Sequence, residues 1–188
     1  MSIFDQMKNK PHTTAATSAG NIGSQRETFA FSVLPENVEQ MQSMPAATMD
    51  TPFKTAALTV CALCAFAAAP DVGTQLLNFL RGPRPLNGYD ISFIKDRFRG
   101  ERTYIPFSYF AGAIPDNNYT PSEPYTVTVI SDAHSYDEAG YARLYIASGG
   151  ADSPRPVKLR QKGDGTWCLW EQYLLTDIRT PKANDPWA

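Results

Sequence analysis

The sequence is short of charge, cysteine and histidine. Charged residues make up 19% of its 188 residues and the formal net charge is −2. An average soluble chain carries roughly 25% charged residues. A dedicated nucleic-acid binder is usually clearly basic, so nucleic acid is not expected as a partner. A highly charged disordered chain is excluded as well. The three cysteines are an odd number, and Cys61 and Cys64 fall within one apolar segment. That usage suits a reducing compartment better than a disulfide scaffold. The N-terminal residues lack a basic start followed by an apolar run. A cytoplasmic location is the expectation. The one run that raises a membrane question is TAALTVCALCAFAAA at residues 55–69. It is about 15 residues long, short of the roughly 20 that a spanning helix needs. Lys54 and Asp71 bracket it. It reads as a buried helix, and no membrane is expected as a partner.

What is present is enough apolar material for a core, 43%, punctuated by 15 prolines and 12 glycines. The expected layout is one α+β domain over residues 28–180. A mobile N-terminal tail covers 1–27 and an extended C-terminal tail covers 181–188, with Trp187 as its anchor. Pro35 opens a short helix with Val38, Met41 and Met44 on one side, and Pro45 ends it. Asp50 or Thr51 caps the apolar helix, Pro52 fits its first turn, and Pro70 stops it. Asp71 caps a helix over 72–80 whose stripe is Leu76, Leu77 and Leu80. Asn87, with Asp90 three residues on, forms a capping box for a third helix. Ile91, Ile94 and Phe98 recur in it at helical spacing. Segment 104–124 loses all periodicity and mixes prolines with aromatics. A loop of that length must pack its own side chains or serve a purpose. Strands follow at 125–131 and 141–148, then a hairpin of 156–161 with 166–172 around Gly163-Asp164-Gly165. Residues 27–34 can add an edge strand. Helices therefore pack on one face of an antiparallel sheet of three to five strands.

Motifs for chemistry are scarce. Cys61-x-x-Cys64 sits mid-helix among Val60, Leu63 and Phe66, where small buried residues fit better than an exposed thiolate. No second Cys or His pair has zinc-finger spacing, so no metal site is expected. No cofactor is expected either. His12 lies in the tail and His134 between two strands, with Asp132 and Ser135 nearby but no nucleophile motif. Gly149-Gly150 reads as a turn rather than a phosphate loop. Arg81, Arg84, Lys95, Arg97, Arg99 and Arg102 make a mildly basic region diluted by Asp90, Asp96 and Glu101.

Strand alternation carries the main expectation about a site. One sheet face holds Val127, Val129, Leu144, Ile146, Val157, Leu159, Trp167 and Leu169 and forms the core. The other holds Thr126, Thr128, Tyr141, Arg143, Tyr145, Lys158, Arg160, Cys168 and Trp170. It is polar, aromatic and poor in acids. It reads either as a solvated face with long stems over rings, or as the lining of a pocket for a small anionic or aromatic ligand. A protein partner is the other occupant considered. Loop residues Tyr109, Asn117, Asn118 and Tyr119 are candidates to close that pocket. One bulge would redirect part of a strand.

Several longer stretches carry a resemblance: TPFKTAALTVCALCAF, LNFLRGPRPLNGYDISFIKDR, PDNNYTPSEPYTVTV, SGGADSPRPVKLRQKGDGTWCLWEQYLL and PKANDPWA. Over residues 29–188 the chain resembles an uncharacterised bacterial family of unknown function. That resemblance implies a bacterial source and brings no activity or ligand. The order of helices, Pro-rich connection and final RPVKLRQKGDGTWCLWE hairpin also resembles the nuclear-transport-factor-2-like, cystatin-like superfamily. It implies a curved, cone-like sheet wrapped on helices, and fold alone does not set function. Two functions follow as expectations. The first is a non-catalytic ligand-binding or protein-interaction domain using the polar-aromatic face. The second is a small hydrolase- or isomerase-like enzyme with Asp116, His134 or Glu171 in a pocket beside Tyr145 or Trp170.

Overall fold

Local chemistry sets the helix ends in the computed structural model, which describes residues 24–187. The Asn37 side chain accepts the Gln40 N–H and opens α1 (Val38–Ser43). Thr51 accepts the Lys54 N–H and opens α2 (Pro52–Ala68), while Asp50 pairs with Lys54 at 2.7 Å. Asn87 and Asp90 exchange both bonds of a capping box at the start of α4 (Gly88–Arg97). The helix between them departs from expectation. α3 (Pro70–Arg81) starts at Pro70 itself, and Asp71 makes no cap bond. A proline at the first helical position gives up an N–H that has no intrahelical partner anyway. Asp71 still places negative charge at the positive end of the helix dipole.

Five antiparallel strands form an open sheet: β1 (Arg26–Phe31), β2 (Tyr125–Ile130), β3 (Tyr141–Ile146), β4 (Arg155–Gln161) and β5 (Trp167–Gln172). Their spatial order follows the chain, β1 to β5. β1 supplies the expected edge strand, but it begins at Arg26, inside the segment expected as tail. The rest of that segment, residues 1–23 with His12, lies outside the described residues. The helices sit between β1 and β2 in sequence and cover the inner face. α2 touches all five strands. It is buried almost all round, as its composition predicts. Its two core threonines are satisfied: Thr59 donates to the Thr55 carbonyl at 2.8 Å, and Thr55 donates to the Trp167 carbonyl at 2.6 Å. Among the described residues no helix is long and apolar enough to cross a membrane.

The aromatic segment does pack. It forms two short 3-10 turns, Arg102–Tyr109 and Pro115–Asn117, and buries Ile105, Tyr109, Phe110 and Tyr119. β2 and β3 pair only at Val129↔Ile146 and Ile130↔Tyr145. Where they part, the segment fills the gap. The Ala111 N–H donates to the Thr126 carbonyl and the Gly149 N–H to the Ser108 carbonyl. The C-terminal segment is not simply extended, since Lys182–Asn184 make another 3-10 turn. Nor does Trp187 anchor it: the indole is 92% exposed. Polar contacts fix that segment instead: just before it the Arg179 N–H donates to the Gly150 carbonyl, and Lys182 meets Asp116 at 3.5 Å.

Candidate functional site

The outer sheet face is built by one irregularity. Leu159 pairs with Leu169 and Arg160 with Cys168, yet Lys158 pairs with Glu171. Trp170 is the extra residue of a β-bulge, which bends the strand and re-aims side chains. Trp170 and Glu171 therefore both reach the outer face, while Leu169 stays in the core. Trp167 packs half-buried against that core, as alternation predicts. Cys168 differs from expectation. It points outward but is buried at 6% exposure. The turn at Gly82, just past α3, closes over its sulfur. The connector after α3 thus wraps round the β5 edge. Arg81, 9% exposed, fastens it there. Its Nε donates to the Arg84 carbonyl and its Nη1 to the Trp170 carbonyl. Burial pulls its pKa down from the usual guanidinium value.

Tyr141, Arg160 and Trp170 form an interleaved array. The Trp170 ring lies 4.2 Å from the Arg84 guanidinium and 4.9 Å from that of Arg160. Tyr141 meets Trp170 edge-on, centroids 5.6 Å apart at 80°. Lys158 Nζ is 4.4 Å and Arg160 5.4 Å from the Tyr141 centroid. Such cation–ring and edge contacts are favourable and directional. The rings are held in place by the chain's own cations.

Beside the array lies a cleft of about 390 Å³ whose walls include His134, Arg143, Tyr145, Lys158, Glu171 and Tyr173. Arg143, Lys158 and Glu171 form a row across three strands, since Lys158 is the cross-strand neighbour of both others. Lys158 pairs with Glu138 at 2.7 Å, which raises its pKa. His134 Nδ1 meets Asp137 Oδ2 at 2.8 Å, which raises the histidine pKa. Tyr173 donates to Glu171 Oε2 at 3.0 Å. That hydrogen bond raises the phenol pKa, with burial adding to it. Among the described residues Arg143 has no carboxylate within 4.0 Å and Glu171 no cation. The expected scarcity of acids is thus corrected. Glu138 comes from the loop before β3, and Glu171 is turned outward by the bulge.

Of the residues singled out in the sequence, Tyr141, Arg143, Tyr145, Lys158, Arg160 and Trp170 come together on this face. Tyr109, Asn117, Asn118 and Tyr119 do not join them. The Tyr109 hydroxyl is buried and donates to the Leu174 carbonyl at 2.6 Å. Tyr119 donates to the Arg179 carbonyl at 2.6 Å and stacks on Tyr104. Burial pushes its pKa up to about 12. The Asn117 side chain bonds to loop backbone, and Asn118 sits at a φ of 54° in the same turn. The two tyrosines tie the segment to the chain that follows β5, and Asn117 braces the loop itself. His134 and Glu171 line the cleft, whereas Asp116 lies beside Lys182 near the C-terminal turn. Sequence reasoning missed Glu138, Asp137 and Tyr173, and it placed Arg84 in the mildly basic region of the stiff connector Gly82-Pro83-Arg84-Pro85 rather than beside Trp170.

A second, more apolar groove of about 320 Å³ lies between α3, α4 and β5, and it too is lined by Glu171 and Tyr173. Cys61 and Cys64 are buried free thiols with pKa values raised by burial. Among the described residues no group of three or more His, Cys, Asp or Glu is placed to hold a metal.

No curated protein and no solved structure matches the chain. The likeness to the nuclear-transport-factor-2-like superfamily therefore gains no support from a structural relative. A family model does match residues 33–182, a span that takes in all four α-helices, β2 to β5 and the whole cleft. The chain belongs to the family described as Domain of unknown function (DUF6935).

Proposed function

We propose that the protein is a non-catalytic binding domain whose outer sheet face receives an anionic, ring-bearing ligand at Arg143. The observation that carries this reading is the position of Arg143. It lies in the cleft, directly across the ladder from Lys158, and among the described residues no carboxylate pairs with it. Like charges directly opposite one another destabilise a sheet. Lys158 is neutralised by Glu138, so an anion at Arg143 completes the compensation. A guanidinium is suited to bidentate recognition of carboxylate or phosphate. Tyr145 and Tyr173 supply ring walls, and the Tyr141–Trp170 array beside them is already ordered, which lowers the entropy cost of binding.

The hydrolase- or isomerase-like alternative has less support. His134 and Glu171 share the cleft, but His134 is 81% exposed. Acid–base catalysis gains most from groups whose pKa values are tuned by burial and close neighbours. The three unpaired thiols support a working place that is reducing, as in a cytoplasm.

The test is a titration of the ¹⁵N-labelled protein with benzoate, a carboxylate on a ring. Shifts should cluster at Arg143, Tyr145, Lys158 and Tyr173. They should vanish in Arg143→Ala and weaken in Trp170→Ala. Scattered shifts, or equal binding by a folded Arg143→Ala protein, would overturn the reading.

A further inference from the structure

We infer that the ligand of this cleft is a zwitterion, one molecule carrying both a carboxylate and an ammonium group. The inference rests on the outer-face cleft being a binding site. Its charges fall into two sets. Lys158 with Glu138 and His134 with Asp137 are partnered, at 2.7 and 2.8 Å. Arg143 and Glu171 have no ion-pair partner among the described residues, and they do not pair with each other. They stand on β3 and β5 with β4 between them, in one cross-strand row. Strands two apart are separated by roughly 10 Å, twice the usual strand spacing. Opposite charges are thus presented from the two sides of one cleft with a gap between them.

Glu171 is nearly free to accept. A carboxylate offers about four lone-pair sites. Among the described residues its one side-chain hydrogen bond comes from the Tyr173 hydroxyl at 3.0 Å. The rings of Tyr141, Tyr145 and Tyr173 line the same space. Phenol faces favour a cation as well as apolar chain. A ligand with only a carboxylate would meet Arg143 and be repelled by Glu171. A ligand with only an ammonium group would meet the reverse. A chain with one charge at each end satisfies both residues, and its methylenes cross over Lys158, whose ammonium is turned to Glu138.

The probes are 6-aminohexanoate, hexanoate and hexylammonium, which share a chain and differ in their ends. Their affinities would be measured by calorimetry against the full chain. 6-Aminohexanoate should bind at least about tenfold tighter than either single-charge probe, a difference of about 1.4 kcal/mol. Glu171→Gln should erase that advantage and leave hexanoate unchanged or tighter. Arg143→Ala should bring 6-aminohexanoate down to the level of hexylammonium. Both side chains are exposed, and dispersed amide spectra would establish that each variant folds. Equal affinity of 6-aminohexanoate and hexanoate for the native protein overturns the zwitterion and leaves the binding reading standing. The same follows if Glu171→Gln changes nothing. Failure of all three probes, and of benzoate, removes both. A blocked peptide, acetyl-Lys-Gly-Glu-amide, separates the two sources of this chemistry. Once 6-aminohexanoate outbinds hexanoate, the tighter of the two zwitterions tells a free amino acid from a protein segment.

Discussion

Replacing Trp170 with alanine should cost about 2 kcal/mol of folding stability and leave the fold intact. The indole has two cation contacts, to Arg84 at 4.2 Å and Arg160 at 4.9 Å. Each is worth about 0.5–1 kcal/mol at an exposed site. Its edge contact with Tyr141 adds about 0.5–1.5 kcal/mol. The simple total is about 1.5–3.5 kcal/mol. These contacts share partners, and the released arginines regain solvent, so the lower half of that range applies. The backbone of the bulge survives, because the Trp170 carbonyl still accepts from Arg81 Nη1. Urea unfolding followed by circular dichroism would give the change in midpoint at constant slope. A double-mutant cycle with Arg84→Met would isolate one contact, with a coupling of about 0.5–1 kcal/mol expected. A loss below about 0.5 kcal/mol, with no coupling to Arg84, would refute the reasoning. The rings would then be solvated individually, and the claim that the site is ordered before binding would fall with them.

Three other outcomes are expected. Gly73→Ala should destabilise by about 1–3 kcal/mol despite the better helix propensity of alanine. Its methyl meets the Phe66 backbone where α3 crosses α2, which calorimetric melting would reveal as a lower Tm. Ser108→Ala should cost about 1–3 kcal/mol, because it leaves the buried Ser148 hydroxyl without its acceptor. Ser148 donates to Ser108 at 2.7 Å and also accepts the Gly150 N–H, so amide exchange at Gly150 should quicken as the melt shifts. Asp137 raises the His134 pKa above 6.5 in the folded protein. The stabilisation from that pair is complete below the unfolded value and is lost as pH rises through the folded one. An NMR titration of the His134 ring should show a midpoint above 6.5, returning towards it in Asp137→Asn; an unshifted midpoint in the native protein would refute the pairing.

The layout was legible where a residue's role depends on its near neighbours. Thr51 and the Asn87–Asp90 pair cap helices through bonds spanning three residues, so their spacing alone declares them. Period-two alternation placed Val127, Leu144 and Leu159 in the core, because one sheet face is covered by α2. Pro70 was ambiguous for a physical reason. A proline both forbids the helix behind it and favours one ahead of it, so it can end α2 or begin α3. The close approach of Gly73 to Phe66, a tertiary fact, is what brings the two helices together. The loop tyrosines failed as site residues for a related reason. Tyr109 and Tyr119 donate to carbonyls 65 and 60 residues away, and nothing local marks those acceptors. The bulge is the sharpest case. WCLWEQ opens with four apolar residues, and strict alternation would put Glu171 on the core face beside Trp167 and Leu169; that misplaced charge is the strand's one local hint of an extra place in the ladder. Pairing with β4 creates that place and puts Glu171 on the side of Trp170. Without it the face would be aromatic and basic, suited to a plain anion. With it the same strands present a carboxylate across the cleft from Arg143. The polarity of the site thus depends on one unpaired residue in β5, and a ligand that reports both charges also reports the bulge.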